Sequence, residues 1–177
     1  MIDPTVPRWR MTRAAMRWFD AAAGAIMAAL VLIVLWGVFT RFVLSAASWW
    51  TEESARLLLI WLTMLGGAAA WARAEHLGVD YFAQKLHPDA QRLVALTVEL
   101  FVIAFAASVL VYGGVVLVAE TLRMGQTTAA LEVPMGLVYL AVPLGGAGIV
   151  LFSLERAIAA WRGPLDHHDD DTAPRAV

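Results

Sequence analysis

Four long stretches of the chain carry no charge. Ala21 to Thr40 is twenty residues without one, Leu57 to Ala72 sixteen, Leu100 to Ala119 twenty and Val133 to Leu154 twenty-two. A helix rises about 1.5 Å per residue, so about 20 apolar residues cross a hydrocarbon core about 30 Å thick. Three runs are long enough as they stand. The second is short, but Arg56 and Arg73 close it and can snorkel to the two interfaces. The third reaches back to Leu93 if Glu99 is tolerated. One such run fits inside a soluble protein. Four do not, because too little polar sequence remains to cover them. The pattern predicts an all-α integral membrane bundle of four transmembrane helices, at about 20–42, 54–73, 93–119 and 134–160.

The first run follows four arginines, as a signal peptide would. Its apolar stretch is about twice a typical signal core, and Arg41 precedes the small residues Ser45-Ala46-Ala47. It reads as a retained helix. Between the spans, Arg10, Arg13 and Arg17 share one face of residues 8–19, with Trp9 and Met16 on another, which predicts a helix lying on an anionic leaflet. A second short amphipathic helix is expected over 79–86, ended by Pro88. Residues 1–19 thus form a basic interfacial arm, 20–162 the membrane domain and 163–177 an acidic tail expected to be disordered.

Charge placement adds direction. Ten of the thirteen Lys and Arg fall in the N-terminal segment, the middle connection and the C-terminal segment; only Arg41, Arg56 and Arg123 lie on the other side. The positive-inside rule then puts both termini in the cytoplasm. Trp18, Trp71 and Trp161 fall at the expected inner boundary, Trp49 and Trp50 at the outer.

Composition narrows the chemistry. The chain is 60% hydrophobic and 16% charged, against about 45–50% and about 25% for a soluble domain. Its net charge of −2 offers no surplus to steer nucleic acid. Without cysteine there is no disulfide, thiolate metal site or thiol redox chemistry. His76, His87, His167 and His168 all lie outside the spans, which leaves no haem ligand within them. No phosphate loop, nucleophile elbow or zinc-protease motif appears. The chain is expected to be no enzyme and to bind no cofactor or metal; Asp166-His167-His168-Asp169 reads as a solvated tail. An ion pathway needs ionisable groups at mid-depth. Glu99, Glu155 and Arg41 each lie near enough to an interface to be hydrated. Glu99 is the one candidate for an autonomous homo-oligomeric channel or exporter; otherwise it faces a neighbouring helix or interfacial water. Small residues recur every fourth position, as Ala21, Ala25 and Ala29, Gly66 and Ala70, and Ala141 and Gly145, ready for close helix packing. Pro143 is expected to kink the fourth helix and free the Tyr139 carbonyl.

The densest polar pattern surrounds the second span: Glu52-Glu53, Arg56, Trp61, Gly66, Arg73, His76 and Asp80. Glu52 and Arg56 are i, i+4 partners at a helix start, where a local pair is worth about 0.2–0.5 kcal/mol. His76 and Asp80 are spaced to order the inner loop by hydrogen bonds. This segment resembles the small membrane subunit of tripartite ATP-independent periplasmic (TRAP) transporters, the DctQ-like family, whose pattern is Glu-Glu, Arg, Trp, Gly, then Arg, His and Asp. Ala129-Ala130-Leu131-Glu132-Val133-Pro134, followed by Tyr139, Pro143 and Gly145, resembles the family's later part. The likeness covers roughly residues 18–162 and departs at Leu77, where the family more often has a β-branched residue.

The resemblance implies a division of labour. A periplasmic solute-binding receptor captures a small organic acid, and a large permease subunit moves it on a sodium gradient. The small subunit scaffolds the large one in the bacterial inner membrane. It further implies that Glu53, Arg56 and Trp61 serve the partner interface or the outer end of the bundle.

Overall fold

The structure, a computed structural model, describes residues 10–46, 48–73 and 88–162. Within them the chain is helical throughout its length apart from two connections. Helix α1 is Arg10–Phe42 and α2 is Thr51–Ala72. The third span runs as α3, Pro88–Phe105, then a π-helical segment, Ala106–Gly113, then α4, Gly114–Arg123. The fourth is a short α5, Met135–Tyr139, followed by α6, Ala141–Arg162. Four helices are long and apolar enough to cross a membrane: Thr12–Phe42, Thr51–Ala72, Leu96–Arg123 and Met135–Ala159.

The spans pack in the order first, second, fourth, third. Helix α1 lies on α2, α2 on α6, and α6 on α3 and the π segment; α1 and the third span form no substantial contact among the described residues. The result is a row rather than a closed ring, with the fourth span at its centre and α1 and the third span at its edges. Glycine makes the central helix thin enough for this. A Cβ on Gly145 would sit 2.9 Å from the Met64 carbonyl oxygen of α2, and one on Gly146 2.5 Å from Leu110 Cβ in the π segment. Both neighbours therefore approach α6 as only a bare backbone allows, which is how helices gain contact where lipid supplies no hydrophobic drive.

The core lies toward the end of the row that holds both termini. Phe19 of α1, Leu65, Ala68, Ala69 and Ala72 of α2 and Phe152 of α6 are buried together, with Ala22, Ile26, Trp61 and Ile149 packed on them. Phe19 and Phe152 meet edge to face at 5.9 Å between centroids, a geometry the ring quadrupoles favour.

Several expectations meet the structure. Residues 10–19, expected as a separate helix, run into α1 without a break and form its first turns. Thr12 is buried while Ala15 and Met16 pack on the core, so tertiary contact fixes this stretch against the bundle. Helix α1 is therefore about 50 Å long, longer than the hydrocarbon core. Ala21 and Ala25 face outward; α1 packs instead through Phe19, Ala22 and Ile26. Gly66 allows no close approach of another span on its Cβ side, where a Cβ would meet nothing within 4 Å. The break expected from Pro143 is present, and the fourth span is interrupted three residues before it, at Leu140. Its amide still bonds the Gly136 carbonyl at 3.2 Å, so the break falls where the missing proline N–H leaves the Tyr139 carbonyl without its helical donor. The 79–86 helix and the acidic tail lie outside the described residues.

Candidate functional site

Two sets of polar contacts carry the charged residues of the spans, one at each end of the row. At the terminal end, α2 supplies Trp71 and Arg73, two residues apart and therefore on different faces. Arg73 pairs with Asp20 of α1 in a partly exposed salt bridge. Trp71 Nε1 donates to Ser153 Oγ of α6 at 2.7 Å, and Ser153 is fully buried. One turn further along α6 the Arg156 guanidinium lies over the Trp71 ring, 4.6 Å from its centroid. Arg156 Nε in turn lies 3.2 Å from Glu99 Oε1 of α3. Taken together, these contacts link all four spans in a polar belt running Asp20, Arg73, Trp71, Ser153, Arg156, Glu99.

Glu99 is 8% exposed. Of the two surroundings expected for it, a neighbouring helix or interfacial water, it has the first. Its charge is cancelled by Arg156 in a site where an isolated carboxylate would be very costly. The cation–π contact places the guanidinium against a surface that solvates it without water.

At the loop end, Glu53 in the first turn of α2 points away from Arg56. Its Oε2 accepts the amide N–H of Ala130 at 2.6 Å and of Leu131 at 3.1 Å. Two successive N–H groups form a small anion cradle, filled here by a carboxylate of the same chain. The loop it clamps is already closed. Gly125, at φ +62°, ends α4; the Gln126 amide bonds the Thr121 carbonyl at 3.3 Å and Gly125 that of Leu122 at 3.1 Å. This is the 6→1, 5→2 pair of a Schellman ending, which needs the left-handed conformation glycine adopts freely. Thr127 then bridges Pro134, and the amide of buried Thr128 bonds the Val133 carbonyl at 2.9 Å. The Thr128 hydroxyl takes the Val133 amide at 3.1 Å. These bonds hold Glu132 at φ 54°, a conformation that costs a non-glycine residue about 1–2 kcal/mol.

The two patches of the sequence pattern therefore meet: Glu53 belongs to the first, Ala130 and Leu131 to the second. The remaining residues of the pattern fall elsewhere. Glu52 and Arg56 are exposed, and Arg56 makes no ion pair among the described residues, so the local i, i+4 pair is not formed. An exposed pair there gains little. Trp61 packs on the core. Pro134 caps α5, Tyr139 is its last residue, and Pro143 lies against Gly114, where a Cβ would come within 2.9 Å of its Cδ. His76 and Asp80 lie outside the described residues. Sequence reasoning missed Asp20, Arg156 and Ser153 as partners. Asp20 carried a usable signal, since it and Arg73 fall at the same membrane boundary on consecutive spans.

A four-span, all-helical membrane protein with Asp20, Arg73, Glu99, Arg156 and Glu53 committed to helix–helix and helix–loop contacts is the class this geometry defines. Residues 30–163 match the family described as tripartite ATP-independent periplasmic transporters, DctQ component, and the chain belongs to that family. It is 29% identical over 136 residues to the sialic acid TRAP transporter small permease protein SiaQ of Vibrio cholerae, covering 74% of each chain. It is 30% identical over 121 residues to the C4-dicarboxylate TRAP transporter small permease protein DctQ of Rhodobacter capsulatus, covering 68% of this chain and 53% of that one. A third relative is the isethionate TRAP transporter permease protein DctMQ of Oleidesulfovibrio alaskensis, 29% identical over 140 residues, 72% of this chain but 22% of that one. The chain is a transporter component rather than an enzyme, and a multi-pass protein of the bacterial inner membrane.

Proposed function

We propose that the chain is the non-catalytic small subunit of a sodium-driven, receptor-dependent transporter for a small organic acid, and that it scaffolds a large permease subunit. The observation that carries the reading is the Glu99–Arg156 ion pair. The carboxylate best placed to serve an ion pathway is spent on joining α3 to α6, as Asp20 and Arg73 are on joining α1 to α2. A subunit whose buried intramembrane carboxylate and its cation tie two of its own helices together is built to hold shape. Relatives named for sialic acid, a C4-dicarboxylate and isethionate support a carboxylate or similar organic anion as solute. The DctMQ relative, of which the match spans 22%, supports a large permease partner, since there the small-permease sequence is part of a longer chain. In this reading a periplasmic receptor delivers the solute, and both termini face the cytoplasm.

The test is uptake in cells or vesicles holding the chain alone, the large subunit alone, or both, with receptor and a sodium gradient. Sodium-dependent uptake is expected only with both. Receptor-delivered uptake by this chain alone would overturn the scaffold role and favour a channel through Glu99, which Glu99→Gln would then abolish.

A further inference from the structure

Polar side chains on the outward faces of the spans are of two sorts. Thr63, Thr97 and Ser108 are exposed, and each hydroxyl donates into its own helix. Thr63 reaches the Leu59 carbonyl at 2.7 Å, Thr97 that of Leu93 at 2.7 Å and Ser108 that of Ala104 at 2.6 Å. Short side chains can turn back in this way. Tyr112 cannot, because its hydroxyl stands at the far end of a rigid ring. It is 72% exposed and makes no hydrogen bond among the described residues.

Its depth makes this costly. Tyr112 lies about 16 Å along the helix from Arg123, half the thickness of a hydrocarbon core about 30 Å across. Side chains lean toward a helix's N-terminus, which carries the hydroxyl further from the loop-end interface. Of the exposed tryptophans, Trp18 and Trp161 lie at the terminal end and Trp49 at the loop end, as amphipathic rings do; Trp36 lies within α1, about 8 Å from Arg41 and so nearer an interface than Tyr112. Acyl chains offer a hydroxyl no acceptor at the depth of Tyr112, and an unmet polar group there is unfavourable. A protein neighbour can meet it.

The surrounding surface has the form of a seat. Phe101, Phe105, Ser108 and Tyr112 recur at i, i+4, i+7 and i+11 along the third span and are all exposed. Beside them runs an apolar groove of about 440 Å³, lined by Phe101 and Phe105 of the third span, Trp71 of α2 and Ile149 of α6. The opposite edge of the row differs: α1 shows Leu32, Leu35 and Phe39, with Trp36 toward its loop end, and has no exposed polar ring at mid-span.

Resting on the large-subunit partnership proposed above, we infer that this third-span face is where that subunit docks, one of its transmembrane helices filling the groove and accepting a hydrogen bond from Tyr112. The test places a photo-crosslinking phenylalanine analogue at position 112, and separately at 35, in the chain co-expressed with its large subunit in native membranes. A crosslink to the large subunit from 112 and none from 35 is expected. Tyr112→Phe, which removes only the hydroxyl, is expected to weaken the complex about threefold while leaving the melting of the isolated chain unchanged. Co-purification with crosslinks from 35 and not from 112 would overturn the assignment, as would a crosslink from 112 to a second copy of this chain. An unchanged complex with Tyr112→Phe would overturn the hydrogen bond. Failure of the unmodified chains to co-purify would instead overturn the partnership itself.

Discussion

The two ends of the row solve the same electrostatic problem differently. At the terminal end, charged groups face each other across helices: Glu99 meets Arg156 and Asp20 meets Arg73. At the loop end, a carboxylate meets only backbone, with Glu53 taking two amides of the connection between the third and fourth spans. Ion pairs between helices fix how spans sit against one another. A carboxylate on a loop's amides fixes the loop and leaves the spans alone. The terminal end is therefore the part of the molecule where a lost charge disturbs helix packing, and the loop end the part where it frees a surface.

The contrast is tested hardest by Arg156→Leu. It removes the Arg156 cation from beside the buried Glu99 carboxylate, and breaking a buried pair from one side costs about 3–5 kcal/mol. Thermal melting in detergent should show a large loss of stability. Combining Arg156→Leu with Glu99→Leu should recover most of it, because apolar replacement of both partners removes the stranded charge. A double variant as unstable as the single one would mean that Arg156 acts through Trp71 and not through Glu99.

The spans were legible because lipid leaves a chain few options: an uncharged run of twenty residues must satisfy its backbone internally, and a helix does so. Their order in the row was not legible. It depends on which glycines face which neighbour: a Cβ on Gly66, which looked like a packing residue, would meet nothing, while one on Gly145 would meet Met64. The Glu99–Arg156 pair was hidden for a related reason. Each residue looked peripheral along its own helix, and only the rotation of α3 against α6 turns them together. The π segment at Ala106–Gly113 has no mark in the sequence either, because one extra residue per turn leaves the apolar run unchanged. The two polar patches of the site were both visible; the contact between them was not, since nothing in the sequence ties Glu53 to amides 77 and 78 residues further on.

The loop end gives a smaller and more local prediction. Glu53→Ala removes two hydrogen bonds to a charged acceptor, worth about 1.5–3 kcal/mol in a setting of this kind. Most of that should appear as faster hydrogen exchange at the amides of Ala130 and Leu131, with a modest change in melting temperature. Glu53→Gln keeps an acceptor oxygen and should lie between. Protection of those two amides in Glu53→Ala equal to that of the unsubstituted chain would show that the Schellman ending and the Thr128 bonds close the loop unaided.

The smallest effect is expected at the second ion pair of the terminal end, and it separates burial from charge as the cause of the contrast. Arg73 and Asp20 are joined as directly as Arg156 and Glu99, but their side chains are 45% and 35% exposed. Pairs open to solvent are worth about 0–1 kcal/mol, because water and salt screen them and each partner is hydrated when alone. Arg73→Ala should therefore lower stability by no more than about 1 kcal/mol, and the loss should shrink further as salt is raised. The Arg156→Leu loss should persist under the same change, since salt does not reach a buried pair. Equal losses in the two variants at high salt would mean that the belt works as a unit, and that its exposed pair does as much as its buried one to hold the spans in a row.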